Sequence, residues 1–195
     1  AQGIDDDLAD GEHVGDLRCL NEDAAKLLLR NSISPVPLHK ALTLRDAIRR
    51  WGGGPHELLA LARIAVHNIS NLHFGPEVGV GKIKLDGQIL RPWLASVERM
   101  AEEIGSLKEL AGVRARVKRH DSRDLHVVDP ESVDIVITSP PYPNEKDYTR
   151  TTRLESVLLG LVKTKEALRA LKKDLVRSNT RGVYKGDDDD KWIAH

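Results

Sequence analysis

Apolar positions recur with two different periods along the chain. Leu58, Leu61, Ala62 and Ala65 stand three or four apart, the spacing of one helical face, so a helix is expected from about Pro55 to Ile69 with Pro55 at its first position. An earlier helix is expected from near Leu42, capped by Thr43 and stopped at Gly52-Gly53-Gly54. Ala24 to Arg30 is a short helical candidate that the Pro35 and Pro37 region should end. Phe74 to Gly87 is rich in glycine and lacks periodicity, which predicts a loop. From Pro92, the residues Trp93, Leu94, Val97, Met100, Ala101, Ile104 and Leu107 return to helical spacing, and this clearest helix should end by Gly112.

The period then changes to two. Val113, Ala115 and Val117 alternate with Arg114, Arg116 and Lys118, as in a strand with one polar face. Val133-Asp134-Ile135-Val136-Ile137 is almost continuously apolar and rich in branched residues, as expected of a strand covered on both faces. Helical segments are expected again near Arg153 to Leu161 and from Lys165 to Val176. The order of elements predicts an α/β fold, with a helical region over residues 1–91 and the α/β part over 92–195.

Composition narrows the function classes. The 195 residues are 40% hydrophobic, with 30 basic and 30 acidic side chains, a balance that suits one globular core and gives no global attraction to nucleic acid. No apolar run approaches the roughly 20 residues of a membrane span, and Ala1-Gln2-Gly3-Ile4-Asp5 has neither the basic nor the apolar part of a signal peptide, so no membrane association is expected. Cys19 is the one cysteine and cannot form an internal disulfide, in keeping with a reducing cytoplasm.

In an open α/β sheet, ligands gather beyond the carboxyl ends of strands. Two expected strand ends carry polar chemistry: Asp121-Ser122 follows the first, and Thr138-Ser139-Pro140-Pro141-Tyr142 follows the second. Consecutive prolines lack amide protons and hold a stiff turn whose carbonyls face outward as acceptors, while Tyr142 adds a flat apolar surface. Ser139, Pro140, Pro141 and Tyr142 together suit a planar ring bearing an amino group.

This motif resembles the (D/N/S)PP(Y/F) signature of S-adenosylmethionine-dependent methyltransferases that act on exocyclic amino groups of nucleobases. The stretch from Asp134 to Gly160, including Pro143-Asn144-Glu145-Lys146-Asp147-Tyr148 and Arg153-Leu154-Glu155, resembles bacterial DNA methylases of the N4-cytosine/N6-adenine group. The resemblance implies a partial Rossmann-like methyltransferase fold with a helical insertion, S-adenosyl-L-methionine as cofactor, a flipped DNA base as substrate, a bacterial cytoplasmic location and a partner restriction nuclease. The serine form leans toward cytosine N4. Adenine N6 or an RNA base is the alternative target, and an inactive nucleic-acid-binding fragment is the alternative of another class. A covalent carbon-5 mechanism is not expected, because Cys19 lies far from any Pro-Cys motif.

The resemblance further implies that Asp121, with Ser122, approaches the adenine of the cofactor, and that Asp5 ends a second strand and holds the ribose. The glycine-rich cofactor turn would then precede Ala1, and few strand candidates follow Tyr142, so an internal piece of a longer enzyme is expected. Phe74 to Lys82 fails as a phosphate loop, since Pro76 stands where the first glycine should be and Ile83 where Ser or Thr should be. His67, Asn68, Asn71 and His73 are read as hydrogen-bonding loop residues. Arg169, Lys172, Lys173, Arg177, Arg181 and Lys185, with Asn179, form a basic stretch suited to phosphate contacts, with Arg177, Asn179, Arg181 and Lys185 as the expected nucleic-acid residues. Asp187 to Asp190 lacks calcium-loop spacing, no Cys and His pattern matches a zinc motif, and no metal site is expected.

Overall fold

The structure, a computed structural model, describes residues 17–139 and 147–176. Its first element, α1 (Glu22–Ala25), is capped by Asn21, whose side chain accepts from the Ala24 N–H at 2.8 Å. Helix α2 spans Pro35–Arg50, seven residues ahead of the expected start at Leu42. Pro35 and Pro37 therefore open this helix instead of ending the one before it. Both lie in the first turn, where the missing N–H has no helical partner to lose. The glycines do stop α2 as expected: Gly52 takes φ of 74°, and the Gly53 N–H donates to the Ile48 carbonyl at 2.8 Å, closing a Schellman turn.

Helix α3 (Pro55–Ile64) begins where expected and continues as a π-helical turn over Ala65–Ile69. The Glu57 carboxylate accepts from the Gly54 N–H at 2.9 Å and satisfies one of the open donors at the helix start. The π turn ends in a bond from the Ser70 hydroxyl to the Val66 carbonyl at 2.6 Å. The glycine-rich loop holds a short antiparallel hairpin, β1 (Leu72–Phe74) and β2 (Val78–Val80), paired Leu72 to Val80, His73 to Gly79 and Phe74 to Val78. Three-residue strands are too short for alternation to show in the sequence. Helix α4 (Leu90–Ser106) lies against α3, where the Trp93 indole N–H donates to the Glu57 carbonyl at 2.9 Å, and a 3-10 turn (Lys108–Leu110) follows it.

The last described elements are α5 (Tyr148–Thr151), α6 (Arg153–Leu158) and α7 (Lys165–Asp174). Leu154, Val157 and Leu158 of α6 are 1% exposed, and Leu158 joins Ala41, Leu44, Ile48, Leu61, Ile64, Ile69 and Ile89 in one core. This core draws on residues from both sides of position 91. Two arginines of α2 secure the end of α6: Arg45 donates to the Leu158 carbonyl at 2.8 Å and Arg49 to the Leu159 carbonyl at 2.7 Å. Cations at a helix carboxyl end satisfy open carbonyls and oppose the negative end of the helix dipole. No helix among the described residues is long and apolar enough to cross a membrane.

Asn71 joins the segments that flank this core. At 2% exposure, its side chain donates to the Asn31 carbonyl at 2.9 Å and to the Ser34 hydroxyl at 3.1 Å, and its Oδ1 accepts from the Lys84 N–H at 2.7 Å. Its backbone N–H donates to the Ser32 carbonyl and its carbonyl accepts from the Gly81 N–H, both at 2.7 Å. Asn71→Ala strands several of these groups at once and should cost about 2–4 kcal/mol in chemical denaturation, whereas Leu59→Ala, at a position 62% exposed, should stay within about 0.5 kcal/mol.

Candidate functional site

The two stretches expected as strands take a different form. Residues 113–120 are irregular, with Val113 68% and Val117 99% exposed. Residues 133–137 are likewise outside any strand, and Ile135, Val136 and Ile137 are 76, 80 and 93% exposed. Branched apolar residues favour a strand only where neighbouring strands complete the ladder and cover both faces. Among the described residues the one sheet is the β1–β2 hairpin, which offers neither segment a partner.

Ser139 is exposed at the end of the second stretch. Pro140, Pro141 and Tyr142 lie outside the described residues, as do Asp5, Arg177, Asn179, Arg181 and Lys185. Downstream of the motif, Asp147 anchors the chain. Its half-buried carboxylate caps α5 by accepting from the Thr149 N–H at 3.0 Å and the Thr149 hydroxyl at 2.7 Å, and it accepts from the Lys172 ammonium of α7 at 2.5 Å. Burial raises the Asp147 pKa, but the hydrogen bonds from Lys172 and Thr149 and the charge of Lys172 outweigh it and leave the pKa lowered. Lys172, expected to meet phosphate, is instead taken up in this internal pair. Arg153 continues the network, donating to the Thr149 carbonyl at 2.9 Å and to its hydroxyl at 3.0 Å.

Asp121 lies in the loop between the two irregular stretches. One of its oxygens accepts from the Arg123 backbone N–H and from Nε, each at 2.9 Å, and the other accepts from Nη2 at 2.6 Å. These bonds hold its pKa down at about 2, with the Arg123 side chain as the main cause. Ser122 beside it is exposed. A carboxylate has about four acceptor sites, so Asp121 keeps room for a further donor beside its contacts with Arg123.

The same loop carries a grouping that the sequence reading passed over. His120, Asp124 and His126 each offer one ligand-type atom, all within 4.8 Å of one another. The His120 Nδ1 lies 2.7 Å from the Asp124 carbonyl, the His126 Nδ1 lies 2.8 Å from Asp124 Oδ2, and the two rings meet edge to face with centroids 4.6 Å apart. The available signal was His-x3-Asp-x-His, a spacing outside the familiar zinc patterns because one ligand is a carboxylate.

Two features of the helical layer complete the inventory. A groove of about 370 Å³ between α3 and α4 is lined by Arg63, His67, Asn68, Ser96 and Arg99 among others. On α6, burial raises the Glu155 pKa, and its Oε2 is buried without a hydrogen-bond partner among the described residues. Comparison with protein-family models, with curated proteins and with solved structures finds no match for this chain.

Two titrations check these electrostatics. Arg123→Ala should let the Asp121 carboxyl return toward its ordinary value of 3.8, as read by carbon NMR; an unchanged value near 2 would contradict the assigned cause. The folded-state pKa of Glu155 is raised, so its contribution to stability is full below the unfolded value and is lost as pH rises through the folded one. Glu155→Gln should therefore raise the Tm at pH 7 relative to the parent chain, and the difference should shrink by pH 4.

Proposed function

We propose that this chain carries the base-receiving part of an S-adenosylmethionine-dependent methyltransferase acting on an exocyclic amino group of a DNA base, with cytosine N4 as its first target. The observation that carries the reading is Thr138-Ser139-Pro140-Pro141-Tyr142, placed between the apolar run 133–137 and the Asp147-Tyr148 and Arg153-Leu154-Glu155 segment. The seating of that downstream segment supports it. Asp147 is bound to Thr149 and Lys172, and α6 is buried in the core, so the chain from Asp147 onward is firmly seated.

In this reading the Ser139 hydroxyl and the Pro140 carbonyl accept hydrogen bonds from the amino group of the base. Those bonds restore nucleophilic character to a nitrogen whose lone pair is conjugated with the ring. Tyr142 stacks on the extruded base. S-adenosyl-L-methionine supplies an electrophilic methyl group to this nitrogen. The contribution of the protein is positioning and acceptance of developing charge, and no protein nucleophile is required. Of the residues expected to hold the cofactor, Asp121 and Ser122 are described, and Asp121 is held in place by Arg123.

Incubation with methyl-labelled cofactor and DNA of mixed sequence, followed by nucleoside mass spectrometry, should yield N4-methylcytosine. Ser139→Ala should lower turnover by about tenfold or more with little change in cofactor affinity, and Tyr142→Ala should lose stacking of about 1–3 kcal/mol. N6-methyladenine as product would transfer the assignment to adenine. Salt-dependent DNA binding without any methylated nucleoside would replace the enzyme reading with the inactive binding module.

A further inference from the structure

The grouping at residues 120–126 stands apart from the proposed methyl-transfer residues, and its chemistry is that of a metal ligand set. Two imidazoles and one carboxylate come from a single loop, with their ligand atoms already within 4.8 Å of one another. We propose that His120, Asp124 and His126 form a Zn²⁺ site that ties this loop together.

The local hydrogen bonds prepare the ligands. A carbonyl oxygen only accepts, so the His120 Nδ1 facing the Asp124 carbonyl at 2.7 Å carries the ring proton, and Nε2 presents its lone pair. A metal-ligating histidine is usually oriented in this way, by a bond from its second nitrogen to a backbone carbonyl or carboxylate. The His126 Nδ1 and Asp124 Oδ2 are 2.8 Å apart, a hydrogen-bond separation that needs to open only to about 3.4 Å to become that of neighbouring tetrahedral ligands with bonds of roughly 2.0–2.2 Å. In the metal-free loop a proton lies between them. Zn²⁺ takes its place when the ring proton of His126 moves to Nε2. The His120 ring, exposed to solvent, completes the set through Nε2.

Two of the nearby cations are engaged elsewhere. Arg123 is paired with Asp121, and the Lys118 ammonium is directed to the Val127 carbonyl at 2.7 Å. Two nitrogen ligands and one oxygen favour Zn²⁺ over Mg²⁺ or Ca²⁺, which call for oxygen donors, and three protein ligands leave a fourth position for water. The benefit to the fold is local. Residues 113–139 contain no helix or strand and no buried apolar side chain, so three metal bonds supply the cross-linking that a core supplies elsewhere.

Isothermal titration of the 195-residue chain with ZnCl₂ tests the site independently of any methyl transfer. One Zn²⁺ per chain is expected, with affinity weakened at least about tenfold in His120→Ala, Asp124→Asn and His126→Ala. His56→Ala and Cys19→Ser should bind as the parent chain does, and MgCl₂ should not bind. Circular dichroism should show the same helix content in all variants, because none of the altered side chains is buried. Absence of stoichiometric Zn²⁺ binding by the parent chain, or parent-like affinity in His120→Ala and His126→Ala, would overturn the proposal.

Discussion

The fold depends on one buried amide. Asn71 follows the π turn at the end of α3, where the chain must leave the helical layer and enter the hairpin. A polar side chain at 2% exposure is tolerable only if its donors and acceptor are satisfied. Here they are, by Asn31, Ser34 and Lys84, while the Asn71 backbone bonds Ser32 and Gly81. One residue therefore fixes the entry to α2, the exit from α3 and the return from the hairpin. The apolar core supplies more free energy in total, at about 1.5–3 kcal/mol for each large buried side chain, but apolar contact has no direction. The bonds of Asn71 select which segments meet.

A second set of polar contacts extends this order to the distant end of the chain. Arg45 and Arg49 project from α2 to the last carbonyls of α6, across 113 and 110 residues of sequence. Asp147 joins the cap of α5 to Lys172 of α7. The segment from Asp147 to Leu159 is thus held by the same helical layer that Asn71 organises. Upstream of the motif the chain is built differently, with exposed apolar side chains and local turns. The His120, Asp124 and His126 cluster lies in this upstream part.

Much of the helical part was legible in the chain. The three-and-four spacing of Leu58, Leu61, Ala62 and Ala65 marked α3, Gly52 and Gly53 marked the stop of α2, and the run from Trp93 to Ile104 marked α4. The start of α2 was misread, because a proline that breaks a helix interior also opens a first turn, and the letter alone does not tell which. The hairpin was missed because three-residue strands carry no period. Val113 to Val117 and Val133 to Ile137 had the composition of strands but are irregular here, since a strand is a property of a pair and not of a segment. Asp121 was found as a candidate by position, while its engagement by Arg123 followed only from side-chain geometry.

By itself, the sequence determined the local features: helical faces, the glycine stops, the absence of a long apolar span, and the residue types of the Ser-Pro-Pro-Tyr motif. These follow from rules that act over a few residues, such as backbone sterics and side-chain period. Tertiary structure alone decided that Asn71 is a buried junction, that Arg45 and Arg49 secure α6, and that Lys172 pairs with Asp147. Each depends on which distant groups arrive within about 3 Å, and hydrogen bonds or ion pairs weaken steeply beyond that reach.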